Sequence, residues 1–398
     1  MIKKERVAKT VNSKNISINY EHIVLNVYGI CVFLYAILQS NISIQYPFIK
    51  QVILSVFIFL LIICLIIKYK ATIRKREAFL LTLFLVLLGY NILNNGLDDG
   101  TLLIIPFCYL LSDCNIESIL KKYSIAIFFA LIFIIMLAKI RILNNQTFFS
   151  TSTFKIRQSL GFIWATFGPN MFLSAVLAFV SYKKERIKFS ELFVFLLVNL
   201  YFYKKTKTVA VFGCVTLFII CILLLKNTKI HSLLASSKIT NFAFSYFAVI
   251  AAISTILFQV YYNQNVRESM VLNALNRATS FRLDLGKMAF ENYKITLLGQ
   301  RMAWNQGTTT NYFYLDSSYL KVLFNNGILM LLFVCLLMDI VAKYSVKTKN
   351  YFMVIAITIF LMHCITDPQL IDFRNNPFYM IVLQSLFYLK HTSKNRRN

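Results

Sequence analysis

The feature that most constrains this chain is its long apolar runs without charge. Between Lys50 and Lys68 no charged residue occurs. Such a run approaches the roughly 20 residues needed to cross about 30 Å of hydrocarbon. A helix in water would carry polar residues along one face at helical spacing, and this stretch does not. Comparable runs recur through the chain, which is why only 15% of its residues are charged, against about 25% in a soluble domain. No soluble fold could bury that apolar surface. The expected fold is an all-α integral membrane protein, one polytopic domain over 1–398, with about twelve spans.

The spans are predicted at 22–40, 48–67, 78–93, 101–112, 123–138, 169–182, 190–203, 208–225, 240–259, 317–341, 351–365 and 377–389. Lys and Arg counts set their direction. With the N-terminus in the cytoplasm, the inner segments hold 26 of the 42 basic residues, and both termini lie inside. The basic N-terminus continues for many residues before the first span, so no cleavable signal peptide is read there. Although the formal net charge is +26, the basic residues sit in short clusters between spans. They form no stripe or tail for nucleic acid, and membrane topology accounts for them first.

The outer side still holds basic clusters, against that topological rule. The loop 139–168 carries Lys139, Arg141, Lys155 and Arg157. The turn after the seventh span carries Lys204, Lys205 and Lys207. The long loop 260–316 carries Arg267, Arg277, Arg282, Lys287, Lys294 and Arg301. That loop is too long for an idle connection. Its middle, 275–293, is predicted as an amphipathic helix with Ala278, Phe281, Leu285, Met288 and Ala289 as its apolar stripe. Outer basic groups can contact anionic lipid head groups or hold an anionic ligand, for which the planar fork of Arg suits phosphate. Two or three such groups could bind a diphosphate and stabilise it as a leaving group.

No metal or cofactor is called for. The chain has no D-x-D or His-rich cluster, and its eight cysteines lie mostly inside apolar runs with no C-x-x-C pair. P-loop, G-x-G-x-x-G, H-E-x-x-H and G-x-S-x-G motifs are missing. Glu191 and Asp339 fall near inner helix ends and Lys321 near an outer one, whereas coupled transporters place charge near the midplane. Trp164, Trp304, Tyr312, Phe313, Tyr314 and Tyr319 cluster beside the outer charges, as an interfacial belt or as sugar-stacking faces.

Several of these features carry a family resemblance. The stretch Arg157-Gln-Ser-Leu-Gly-Phe-Ile-Trp-Ala-Thr-Phe-Gly168-Pro169-Asn170 resembles the segment opening the mid-chain helix of Wzy-type polysaccharide polymerases, in the O-antigen ligase/polymerase-like membrane family. Arg157 and Gly168 fit an R-x(10)-G spacing. The turn Lys204-Lys205-Thr206-Lys207-Thr208 is similar to the family's basic turn beside Ser or Thr. Leu298-Gly299, Leu315-Asp316-Ser317-Ser318-Tyr319-Leu320 and Asn326-Gly327 resemble the end of its large outer loop and the next helix. The second large loop lacks a clean R-x(10)-G, and Asp316 stands where the related ligases usually carry His.

The resemblance implies a GT-C-like glycosyltransferase of the bacterial cytoplasmic membrane. Its substrates would be undecaprenyl-diphosphate-linked oligosaccharide repeat units, polymerised at the outer leaflet with lipid diphosphate as leaving group and without metal. Its partners would be membrane lipid and the flippase and chain-length regulator of the same pathway. An O-antigen or glycan ligase shares the fold, and a lipid-linked oligosaccharide flippase shares the substrate.

On that reading Arg157 contacts the diphosphate, supported by Lys205 and Lys207, which could equally be snorkelling anchors. Arg277 and Arg282 clamp the second lipid-linked unit, or else occupy a solvated helix face. Asp316 is the expected general base for the acceptor hydroxyl, or an N-cap of the tenth span. Pro169 and Asn170 start the sixth span. Asp367 and Arg374, in the last outer loop, are expected to pair with each other.

Overall fold

The computed structural model describes residues 21–68, 104–150, 155–305 and 312–394, with a few positions between 82 and 89. The N-terminal basic residues, the basic run 70–76 and most of the expected span 78–93 lie outside the described residues.

Helix dominates. In chain order the principal helices are α1 (Glu21–Ile37), α2 (Pro47–Lys68), α3 (Ile104–Leu111), α4 (Ile116–Lys139), α5 (Phe167–Lys183), α6 (Phe189–Thr206), α7 (Val209–Leu225), α8 (Thr228–Ser236) and α9 (Lys238–Ser245). They continue with α10 (Phe247–Asn265), α11 (Met270–Ala278), α12 (Arg282–Asn292), α13 (Ser318–Lys347), α14 (Tyr351–His363) and α15 (Val382–Lys394). By length and apolarity α4, α10 and α13 can cross a membrane, and α7 and α8 meet the same test together across a 95° bend. A short hairpin, β1 (Thr147–Ser150) with β2 (Lys155–Gln158), sits between α4 and α5.

The helix α4 shows why an aqueous surface does not suit this chain. Asn115 caps it, its side chain accepting from Glu117 N at 2.8 Å and Ser118 N at 3.3 Å. Glu117 in the first turn and Lys139 in the last complement the helix dipole. Ile119, Tyr123, Ile127, Ala130 and Ile134 recur at helical spacing and are buried. The other side is equally apolar, with Phe129 64% and Ile132 58% exposed. Both faces need an apolar environment, one from protein and one from lipid.

At the centre lie α5 and α14, buried around nearly their whole circumference. The helix α5 packs along α4 and α14, α14 also meets α7, and α13 packs on α10 and α15. One polar group inside this core is Asp339 on α13, which is fully buried. Its Oδ1 accepts from Ala248 N at 3.0 Å, satisfying a backbone donor of the first turn of α10. Asp339→Leu would orphan that buried N–H. The expected cost is about 1–3 kcal/mol, read as a lower melting temperature of the detergent-purified protein, with Asp339→Asn close to wild type.

The bundle has two chemically different ends. At one end Glu117 accepts from Lys184 at 2.5 Å and Arg186 at 3.3 Å, and Lys183 pairs with Glu191. The opposite end, called the site end below, gathers the loop after α1, the described parts of 140–168 and 266–317, the α6–α7 turn and the segment 364–376. These are tied by bonds such as Asn41 N to Gly161 O at 2.8 Å and Ser318 N to Cys364 O at 2.9 Å.

The single amphipathic helix expected over 275–293 is two helices. Ser280 and Phe281 have φ of 58° and 63°, and two successive left-handed residues end a right-handed helix. Polar pins set the bend: Asp284 accepts from Tyr262 Oη at 2.5 Å and from Asn276 Nδ2 at 2.6 Å. Leu272, Asn276, Gly286 and Ala289 are buried as a result, while Ala278, Phe281 and Met288 of the expected stripe are exposed.

The helix α13 is interrupted at Val322–Asn326 by a π-helical turn, and Gly327 follows with φ +86°. The chain at Thr296–Gln300 crosses this break. It accepts from Ile328 N through Thr296 O and from Leu329 N through Leu297 O, both at 3.1 Å, and Gln300 N donates to Asn325 O at 3.3 Å. The crossing strand thereby satisfies backbone groups that the interrupted helix leaves open.

Candidate functional site

At the site end, charged side chains from four separated stretches converge. The first is Arg157. The pairing of β1 with β2 sets Phe148 opposite it, and a tight loop then tucks Phe162 beneath Gly168, where an added Cβ would lie 2.8 Å from the Phe162 ring. The Arg157 Nε donates to Thr206 O at 2.9 Å, and Nη2 lies 3.5 Å from Thr208 Oγ1. Thr206 closes α6, and Lys207 turns left-handed with φ 54°. The last carbonyls of a helix lack intrahelical donors and attract cations, so Arg157 is oriented by the end of α6.

The second and third groups form a pair. Arg282 opens α12, and its Nε donates to Asp316 Oδ2 at 2.8 Å, with the two side chains 25% and 23% exposed. Asp316 is therefore not the N-cap of α13. Ser317 occupies that position without a side-chain cap bond, because the Asp316 carboxylate is turned to the guanidinium.

The fourth is Asp367, buried just after α14. Its Oδ1 accepts from Asn170 Nδ2 at 3.0 Å and Gln369 Nε2 at 2.5 Å. Asn170 Oδ1 in turn faces His363 Nε2 at 3.1 Å. An amide whose nitrogen donates to the carboxylate presents its oxygen to the ring, so His363 carries its proton on Nε2. Asp367 and Arg374 do not pair as expected. Arg374 instead forms a two-pronged pair with Asp372, Nε to Oδ1 at 2.8 Å and Nη2 to Oδ2 at 3.0 Å. With a single residue between them on one turn, Asp372 and Arg374 need no long-range organisation, whereas Asp367 is claimed by the start of α5.

These groups share one electrostatic neighbourhood. Burial and the nearby Arg282 charge pull the Arg157 guanidinium down, and Asp316 and Asp367 oppose that pull. Burial raises the Asp316 carboxyl above the ordinary range against the opposing charge of Arg282. Burial likewise raises Asp367, again opposed by Arg282. An arginine stays charged regardless, so the site keeps two fixed positive charges beside two carboxyls whose ionisation is costly.

The other expected site residues are not drawn into this cluster. Arg277 is exposed at the end of α11. Lys205 and Lys207 flank the Thr206 anchor, but among the described residues neither forms an ion pair; Lys207 Nζ lies 6.0 Å from the Tyr203 ring. The aromatics divide. Tyr293, Phe313 and Trp304 stack in series at 5.8 and 5.7 Å, with Tyr314 tilted 5.3 Å from Trp304. Tyr319 is buried and donates to Leu361 O at 3.0 Å, a packing role. Trp164 stacks on Phe148.

Sequence reading missed Asn170 as more than a helix start, and it missed His363, Gln369 and Asp372 altogether. Their available signal was polarity in or beside apolar helix ends, as in His363 closing an otherwise apolar segment. Comparison with family models, with curated proteins and with solved structures finds no match for this chain.

Proposed function

We propose that this protein is a GT-C-like glycosyltransferase with about twelve spans, both termini cytoplasmic and the site end at the outer face of the bacterial cytoplasmic membrane. It polymerises undecaprenyl-diphosphate-linked oligosaccharide repeat units into a surface polysaccharide. The observation that carries this reading is the convergence of Arg157, Arg282, Asp316 and Asp367 at one end of an apolar helical bundle.

The chemistry asked of the site is modest. The acceptor hydroxyl oxygen attacks the anomeric carbon of the donor sugar, and its proton passes to the Oδ1 of Asp316. The bond from that carbon to the diphosphate oxygen breaks, and the electron pair leaves on undecaprenyl diphosphate. Arg282 holds Asp316 through Nε, and among the described residues its Nη groups make no hydrogen bond. Those groups, with the helix-anchored Arg157, face the charge that develops on the leaving diphosphate, where fixed donors act most strongly.

The test is deletion of the gene, with restoration of either the wild type or Arg157→Ala, and profiling of lipid-linked glycans. Single repeat units should accumulate on lipid in the deletion strain. The wild type should restore long chains and Arg157→Ala should slow their growth about 10²–10³-fold, the scale of losing one transition-state donor. Long lipid-linked chains that never reach their final acceptor would make the protein a ligase. Unchanged glycans in the deletion strain would sink the glycosyltransferase reading.

A further inference from the structure

Beside the charged cluster, a cavity of about 140 Å³ opens between the starts of α5 and α13 and the segment after α14. Phe167, Tyr314, Lys321, Gln369, Asp372 and Arg374 line it. It is smaller than the roughly 300 Å³ at which pockets for drug-sized ligands begin, and it has room for about one ring.

Its chemistry is not that of an anion site. Arg374 is engaged by Asp372, and Lys321 Nζ donates to Tyr314 Oη at 2.9 Å. What the cavity offers is a mixture: a carboxylate, amide and hydroxyl groups, cationic donors and two aromatic rings. One group lacks its complement. Gln369 is 5% exposed, its Nε2 is committed to Asp367, and its Oε1 has no partner. A buried amide oxygen left without a donor costs stability. A ligand hydroxyl would satisfy it once the amide turns toward the cavity that Gln369 lines.

A pyranose ring fits this set. Its hydroxyls can donate to Gln369 Oε1 and Asp372 and accept from Lys321 and Arg374, and its C–H face can lie against an aromatic ring. We propose that this cavity is a monosaccharide subsite, which seats one sugar of the lipid-linked oligosaccharide whose diphosphate is held by Arg157 and Arg282. The proposal rests on the glycosyltransferase reading. The bond from Gln369 to Asp367 connects the subsite to the charged cluster, through the same carboxylate that Asn170 holds.

The experiment compares two probes on the full chain purified in detergent, by native mass spectrometry. One is the lipid-linked repeat unit extracted from the deletion strain, and the other is undecaprenyl diphosphate without sugar. Tyr314→Leu should weaken binding of the sugar-bearing lipid about tenfold and leave the bare lipid unchanged, while Gln369→Leu, which also removes a donor from Asp367, should weaken the sugar-bearing lipid more than the bare one. Arg157→Ala should weaken both. Equal affinity of wild type and Tyr314→Leu for the sugar-bearing lipid, or an equal loss of both lipids in that variant, would overturn the subsite. Tyr314 is partly exposed, so its variant keeps the test valid if Gln369→Leu misfolds. If no repeat-unit lipid accumulates in the deletion strain, the parent reading fails and takes the subsite with it.

Discussion

Asp316→Asn is expected to slow glycan chain growth by about 10²–10⁴-fold, the usual contribution of a positioned general base, with little loss of protein. The substitution keeps the side-chain shape. Its amide oxygen can still accept from Arg282 Nε, but it cannot take the acceptor's proton. The pH dependence gives an independent check. A general base works when ionised, so activity falls as pH drops through its pKa. Burial holds the Asp316 carboxyl above the ordinary carboxylate range, so the acid limb of the rate profile should lie above that range too. Arg282 is the charge that favours ionisation. Arg282→Gln should therefore move the limb to still higher pH, besides lowering the maximum rate. Chain length on lipid at several pH values, with purified protein and extracted repeat units, reads both effects. Wild-type rates in Asp316→Asn would leave Asp316 as a structural partner of Arg282 alone.

The second large effect is structural. Gly327→Ala should cost about 3 kcal/mol or more and sharply reduce the amount of folded protein. Gly327 has φ +86°, and a Cβ there would lie 2.4 Å from Gly299 N and 2.5 Å from Leu297 O. Both are backbone atoms held by the crossing of Thr296–Gln300 over the break in α13, so neither can swing away. Gly299→Ala should behave alike, since its Cβ would meet Asn325 O at 2.3 Å and its own φ is +95°. Gly213 on α7 is the contrast, with nothing within 4 Å of an added Cβ. Gly213→Ala should be neutral or gain about 0.5–1 kcal/mol from helix preference. Thermal unfolding of the three variants in one detergent decides the matter. A Gly327→Ala protein that melts with the wild type would mean the two segments do not cross so closely.

The crossing also explains why Leu298-Gly299 and Asn326-Gly327 stand out in the sequence. They are two halves of one contact. Its consequence reaches the site, because Asp316 lies a few residues before the helix that this contact locks, and Arg282 lies on the arm that leads into the crossing strand.

Much of the architecture was legible from sequence because it is encoded locally. Apolar residues on both faces of the expected span 123–138 specify a helix for an apolar surrounding, although that helix begins seven residues earlier, at Ile116, where Asn115 caps it. Arg157 was legible as a candidate through its spacing to Gly168 in a basic loop, and Asp316 as a carboxylate where the long loop returns to an apolar run. Tertiary structure alone decided which charges meet. Arg277 and Arg282 looked equivalent on one expected helix, yet the bend at Ser280 and Phe281 sends Arg277 to solvent and Arg282 to Asp316. Asp367 was matched with Arg374 by proximity in sequence, yet it is held by Asn170, 197 residues away. The physical reason is range. Helical periodicity and hydropathy repeat every few residues and leave their pattern in the chain, while a single polar contact between distant segments depends on the packing of everything between them and leaves no pattern at all.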